Sequence, residues 1–242
     1  MSTQLDPLSI SGDLLYAVKT DGERAALRER LATFDRDQLE RALRDRPQKL
    51  AFWLNCYNAY VQILLEEEPS LIDGGPLDRW QFFARDRVPV AGVWLSLDDI
   101  EHGMLRGSKH PWGMGYLPRP FPSAFERQFR LDALDPRVHF AINCGTESCP
   151  PVAVYSPADV GRELEIATEW FLEENVSYDR TENVATVPRV FLWYRGDFGG
   201  KRGIRRFLEQ YEAIPPDSNP SLEYDDHDWS VELGDYRGGR SG

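Results

Sequence analysis

The sequence predicts an α+β fold: a single domain with a central buried helix packed on a small sheet, and peripheral helices around both. Three observations predict it. Lys49 to Glu68 is apolar almost all round, the mark of a helix buried on every side. Val138 to Ile142 is apolar apart from His139, too short for a typical helix and rich in β-branched and aromatic side chains, which predicts a core strand within 138–143. Neither an internal repeat nor a domain linker divides the chain.

Taken in order, residues 1–22 carry little periodic signal. Glu23 to Phe34 and Gln38 to Arg46 read as two short helices, with Pro47 ending the second. Residues 1–34 are assigned as an N-terminal helical extension, 35–231 as the domain and 232–242 as a disordered tail. Within the long helix, Asn55, Asn58 and Gln62 fall at i, i+3 and i+7 and form a polar stripe. Buried amides must find partners, so they either pin the loops that cross the helix or line a site. Cys56, among Trp53, Tyr57 and Tyr60, reads as a small core hydrophobe.

Glu68-Pro69 stops the helix and Asp73-Gly-Gly-Pro76 is a loop. Val88 to Trp94 is a strand pair or an irregular edge, since Pro89 removes a ladder donor. Ser96 caps a helix from Leu97 to Arg106 that carries Glu101, His102 and Arg106. A long Pro- and Gly-rich loop, 107–125, leads to a short helix over Phe125 to Leu134. Ser156-Pro157-Ala-Asp159 reads as the start of a helix running to about Glu174. Val184 to Val187 is a short strand, Arg195-Gly-Asp197 a turn, and Ile204, Phe207, Leu208 and Tyr211 mark a last helix. Three prolines from Pro215 open a stretch whose composition is that of a disordered tail.

Charge excludes some functions. The net charge is −12, from 40 acidic and 28 basic residues, which argues against a nucleic acid or an anionic membrane bound through bulk charge. Only positions 19, 49, 109 and 201 are Lys; the other basic residues are Arg. Acidic and Lys-poor, the composition suits a high-salt, halophilic setting. Three cysteines, an odd number without a framework, fit a reducing compartment, and the N-terminus lacks a charged-then-apolar leader. No apolar run is long enough to span a membrane. A cytoplasmic protein is expected.

The densest chemistry lies in 137–151, where His139, Asn143, Cys144 and Cys149 fall within eleven residues. On strand alternation His139, Ala141 and Asn143 share one face and Phe140, Ile142 and Cys144 the other, while Cys149 can return to either. Three chemistries compete. Cys149 or Cys144 is a nucleophile with His139 or His102 as its base. Or His102, His139, Cys144 and Cys149 hold zinc, the one cofactor the residues suggest. Or the two thiols are structural or pair reversibly; their C-x4-C spacing is not that of redox enzymes. Glu101 serves as a carboxylate base, orients His102, or forms a salt bridge with Arg106.

Several stretches together resemble one family. Lys49-Leu-Ala-Phe-Trp-Leu-Asn-Cys-Tyr-Asn-Ala59, Leu97-Asp-Asp-Ile-Glu-His-Gly-Met-Leu-Arg106, Arg137-Val-His-Phe-Ala-Ile-Asn-Cys-Gly145 with Ser148-Cys-Pro-Pro151, Trp193-Tyr-Arg-Gly-Asp-Phe198 and Asp228-Trp-Ser230 resemble, in this order, the domain of unknown function 547. The resemblance covers roughly 35–231. It implies one domain and a C-terminal stretch that folds back through Asp228-Trp229. It also implies that Asn55, Asn58, Glu101, His102, Arg106, His139, Cys144 and Cys149 stand at family motif positions. Some members are fused to coiled-coil or glutaredoxin-like segments; this chain shows neither.

The resulting expectation is a thiol-dependent hydrolase or group-transfer enzyme. Cys149, His139, Glu101 and His102 carry its chemistry, and Asn55, Asn58, Arg106, Asn143 and Cys144 bind a small-molecule or protein substrate. The rival is a non-catalytic interaction module whose His/Cys/Asn cluster fixes loops. The two part on whether these groups converge on an open pocket.

Overall fold

The computed structural model describes residues 6–72 and 74–237. Helix and sheet are mixed within one domain, as the sequence predicts, but the parts are joined differently. The central helix is α4, Arg46–Glu67, opened by Asp45 in a capping box with Gln48 and by Pro47 in its first turn. Its residues from Leu50 to Leu65 are all buried. A helix so enclosed needs neighbours on every side. One is α1, Pro7–Lys19, which buries Ile10, Leu14, Leu15 and Val18 against it. The N-terminal stretch is thus part of the main core rather than an appendage. Its apolar positions keep helical spacing, a signal that polar neighbours obscured.

Helices α2 (Ala25–Thr33) and α3 (Arg36–Ala42) follow, and Arg24 and Arg28 reach Glu66 and Glu67 at the end of α4. Helix α5, Pro76–Ala84, leads to an antiparallel pair, β1 (Val88–Val90) and β2 (Val93–Leu95). Pro89 sits on this two-stranded ribbon, where an edge position tolerates a missing donor. Next comes a π-helical stretch, Asp99–Leu105, in place of the predicted α-helix. The N–H of Arg106 bonds to the Glu101 carbonyl at 2.9 Å and that of Ser108 to the Gly103 carbonyl at 2.9 Å, each five residues back. Helix α6 covers Ala124–Phe129.

The predicted strand at 138–143 is absent. Pro136–Phe140 is a 3-10 turn, because Asp135 caps it through the Arg137 N–H and Pro136 occupies its first position. Beyond the turn no strand among the described residues lies alongside, and Asn58 of α4 takes that place. Its Nδ2 donates to the Ala141 carbonyl at 2.9 Å, and its Oδ1 accepts from the Asn143 N–H at 2.9 Å. A side-chain amide here does what a neighbouring peptide group does in a ladder.

The sheet belongs to a second core. It comprises β3 (Ser177–Asp179), β4 (Val184–Val187) and β5 (Ser221–Tyr224), with β3–β4 antiparallel and β4–β5 parallel. It packs with α7 (Val160–Asn175), α8 (Val190–Trp193) and α9 (Gly200–Gln210) around Phe140, Phe171, Phe191 and Phe198. Helix α7 begins three residues later than the sequence predicts, because Ser156 and Asp159 bond to one another and close a separate turn first. Val138 lies in the first core and Phe140 in the second, so His139 sits on the seam.

After β5 the chain returns to 145–152. The N–H of Glu147 bonds to the Ser230 carbonyl at 3.0 Å, and that of Glu232 to the Gly145 carbonyl at 3.0 Å. Arg237 N–H bonds to the Val152 carbonyl at 2.9 Å. The fold-back at Asp228-Trp229 is therefore present, and the tail expected from 232 is held as far as Arg237; 238–242 lie outside the described residues. No helix among the described residues is long and apolar enough to cross a membrane.

Candidate functional site

A cleft of about 920 Å³ opens along the seam between the two cores. Its walls include Glu101 and His102 from the π-helical stretch, His139 from the 3-10 turn, Cys144 and Cys149 from the following loop, and His227 from the returning tail. Segments far apart in sequence thus meet, and they form two clusters.

The first cluster is ionic and buried. The wider π-helical turn brings Glu101, His102 and Arg106 together. Arg106 Nη1 lies 2.7 Å from His102 Nδ1, and its Nε donates to Asp197 Oδ2 at 2.7 Å. A guanidinium can only donate, so His102 Nδ1 accepts and the ring proton sits on Nε2, 3.4 Å from Asp98 Oδ1. Asp197 Oδ2 also takes His139 Nε2 at 2.9 Å. Burial raises the Asp197 pKa, but its bonds from His139 and Arg106 outweigh this and hold it at about 2. Burial lowers that of His139, against the opposing pull of Asp197. A neutral His139 facing an ionised carboxylate must carry its proton on Nε2, which leaves Nδ1 a bare lone pair. Among the described residues that atom has no hydrogen-bond partner, nor do Arg106 Nη2 and Asp197 Oδ1, all three buried.

Glu101 is held from two sides, its Oε1 accepting from the Tyr194 hydroxyl at 2.6 Å and its Oε2 from that of Tyr57 at 3.3 Å. Burial raises its pKa; His102, Arg106 and the Tyr194 bond outweigh that and bring it below the ordinary carboxylate value. Burial and the Glu101 charge push both phenols well up, so they remain donors. The Tyr194 ring stacks on His139 with centroids 4.1 Å apart, and the Arg106 guanidinium lies over the same Tyr194 ring, 4.6 Å from its centroid.

The second cluster is sulfur. Cys144 and Cys149 are joined in a disulfide, their Cα atoms 6.1 Å apart. The expectation of a free Cys149 nucleophile is therefore corrected for this state: neither sulfur is a thiol. Four intervening residues and a return at Cys149-Pro150 bring the pair together, and reversible or structural pairing is the alternative left open by the C-x4-C spacing. Cys56 is free and buried, as a small core hydrophobe would be. Burial lowers the His227 pKa to about 4, and Trp229 and Trp193 flank its ring at 4.4 and 5.1 Å.

Three residues expected to bind substrate do other work. Asn55 donates to the Tyr155 carbonyl at 2.9 Å and accepts from its N–H at 2.8 Å. Asn58 pins 141–143 as described. Asn143 donates to the Pro150 carbonyl at 2.7 Å and accepts from Gly145 N–H at 2.7 Å. All three amides are buried and engaged, and none lines the cleft. Each anchors a loop. Arg106 is likewise behind the wall, where it ties His102 to Asp197.

Tyr57, Tyr194, Asp197 and His227 were missed. Tyr57 was masked by its wholly apolar surroundings, and Asp197 lay in a tripeptide taken for a turn. Their signal was the Trp193-Tyr-Arg-Gly-Asp-Phe198 stretch itself, a carboxylate and a phenol in an aromatic run. His227 was hidden in a tail judged by composition.

Among curated proteins and among solved structures nothing matches. A family model described as "Protein of unknown function, DUF547" matches residues 41–172, just over half of the chain. The match takes in α4, the π-helical stretch, the His139 turn and both sulfurs, and it leaves Tyr194, Asp197 and His227 outside. The chain belongs to the DUF547 family.

Proposed function

We propose that the cleft is an active site for hydrolysis or group transfer, with His139 as its acid–base group. The observation that carries this is His139 itself: a ring that lines the cleft, held through Nε2 by an ionised Asp197, its Nδ1 buried and without a hydrogen-bond partner among the described residues. Buried nitrogens are almost always paired, so an unpaired one beside a cavity is placed to take a proton from a substrate or water. Asp197 orients the ring, and Arg106 ties Asp197 to His102. Glu101, ionised and gripped by two phenols, supplies a fixed negative charge at the same wall. The substrate is a small molecule or a protein side chain; the net charge of −12 disfavours nucleic acid.

A second reading makes Cys149 the nucleophile, and it is favoured by the presence of Cys149 and His139 in one cleft. It requires the disulfide to open first, and a cytoplasmic location suits it only where thiol reductants cycle the pair. Against both stands the interaction module, which the loop-anchoring role of Asn55, Asn58 and Asn143 supports.

A panel of ester, thioester, amide and phosphoester probes separates them. Turnover by the wild type should fall by roughly 10²–10⁴-fold in His139→Ala and nearly as far in Asp197→Asn. Turnover that appears only after reduction and vanishes on alkylation of Cys149 favours the thiol. If no probe distinguishes the wild type from His139→Ala with or without reductant, the interaction module gains and the enzyme is lost.

A further inference from the structure

The sulfur cluster has a third member that the acid–base scheme does not use. The ligand atoms of Cys144, Cys149 and His227 all lie within 4.8 Å of one another, the only such set of three or more His, Cys, Asp or Glu among the described residues. We propose that the reduced protein binds one zinc ion through Cys144 Sγ, Cys149 Sγ and the His227 imidazole.

Geometry supports it. Tetrahedral zinc at about 2.3 Å from sulfur and about 2.0 Å from nitrogen sets its ligand atoms roughly 3.5–3.8 Å apart. Cys144 Sγ and His227 Nε2 are 4.0 Å apart already. The Thr146 hydroxyl lies 3.1 Å from Cys144 Sγ, 3.3 Å from Cys149 Sγ and 3.0 Å from His227 Nε2. Four polar atoms thus cluster as the corners of a small polyhedron. The Cys144 N–H points at Cys149 Sγ from 3.1 Å, the kind of bond that steadies a metal thiolate.

The set is also built. The two sulfurs come from the loop anchored by Asn143, and His227 comes from a segment about eighty residues later. That segment is fastened to the loop by the Asp228 N–H on Ser148 Oγ, 2.8 Å, and by Glu147 on Ser230. Trp193 and Trp229 fix the imidazole between them. The set of ligands differs from the one the sequence suggested. His102 is committed to Arg106 and Asp98, and His139 to Asp197. Three protein ligands leave a fourth position for water or substrate, the pattern of catalytic rather than structural zinc, and the cleft borders all three.

The redox step balances with an external dithiol. Two electrons from the dithiol break the Cys144–Cys149 bond and give two thiols, while the dithiol closes to its own disulfide. Each thiol then loses a proton to solvent as it takes the metal.

The test uses the full chain, reduced with dithiothreitol, freed of it without air, and titrated with Zn²⁺ against a chromophoric chelator. Reduced protein should take up one equivalent, and oxidised protein none. Co²⁺ in place of Zn²⁺ should give a thiolate charge-transfer band that Cys144→Ser and Cys149→Ser each weaken. His227→Ala should lower the affinity on the order of 100-fold, while His102→Ala leaves it unchanged. The oxidised-against-reduced comparison needs no variant, so a misfolded mutant cannot blur it. Equal uptake in both redox states, or none in either, overturns the site, as does loss with His102→Ala but not with His227→Ala. None of these outcomes depends on the acid–base assignment of His139.

Discussion

A single carboxylate, Asp197, decides the state of its neighbours. It bonds to one guanidinium and one imidazole while fully enclosed, and a buried charge survives only with such partners. Its folded pKa of about 2 lies below the ordinary carboxylate value, so it stabilises the fold above about pH 4 and that contribution is lost as pH falls toward 2. His139 acts in the same direction at higher pH. Its folded pKa is lowered, so the unfolded chain takes up a proton near pH 6.5 before the folded one does, and stability declines as pH falls through that point. Urea unfolding between pH 8 and pH 5 should therefore show falling stability, with the slope flattened in His139→Asn; an unchanged slope would mean that the ring is not buried neutral. Legibility was uneven at this scale. Glu101, His102, His139 and the two cysteines could be singled out because few residue types carry their chemistry. Asp197 could not, because one aspartate among many acidic residues is distinguished only by what it touches.

Element by element, apolar content revealed α4 and the strand at Val184–Val187, since a run of several residues outweighs any one of them. It failed at 136–143, where β-branched and aromatic content suggested a strand. Content of that kind records burial, and burial here comes from two cores meeting on a short turn. The π-helical register was likewise invisible, because one residue more per turn leaves little trace in seven residues. Asn58 is the clearest element-scale dependency. Asn58→Ala would strand the Ala141 carbonyl and the Asn143 N–H in the interior, at about 1–3 kcal/mol for each. A loss of about 3 kcal/mol in urea unfolding is expected, together with faster amide exchange at Asn143. A cost below about 1 kcal/mol would show that the loop finds other partners.

Across the whole molecule, charge and topology dominate. Arginines tie distant segments: Arg46 and Arg137 both reach Asp135, and Arg137 continues to Glu165 on α7. Such pairs use the planar fork that Lys lacks, which gives the Arg-for-Lys bias a structural part beside any halophilic one. The remaining excess of 12 negative charges repels itself. Screening shortens to about 3 Å at 1 M salt, so the melting temperature should climb between dilute buffer and molar KCl. A melting point that is flat or falls with KCl would remove the high-salt interpretation. The expected sign of this dependence follows from composition alone. The layout of two cores was beyond it, because the sheet forms only when Ser221–Tyr224 pairs in parallel with Val184–Val187 across the intervening α8 and α9.

The placement of Val138 and Phe140 in different cores has a mechanical consequence. The imidazole between them rides on a span whose two ends belong to separately packed bodies. Pressure or a mild cosolvent that loosens one body would tilt that ring away from its carboxylate well before either body melts. The proton transfer proposed for His139 should then fade while spectroscopic signs of folding stay intact.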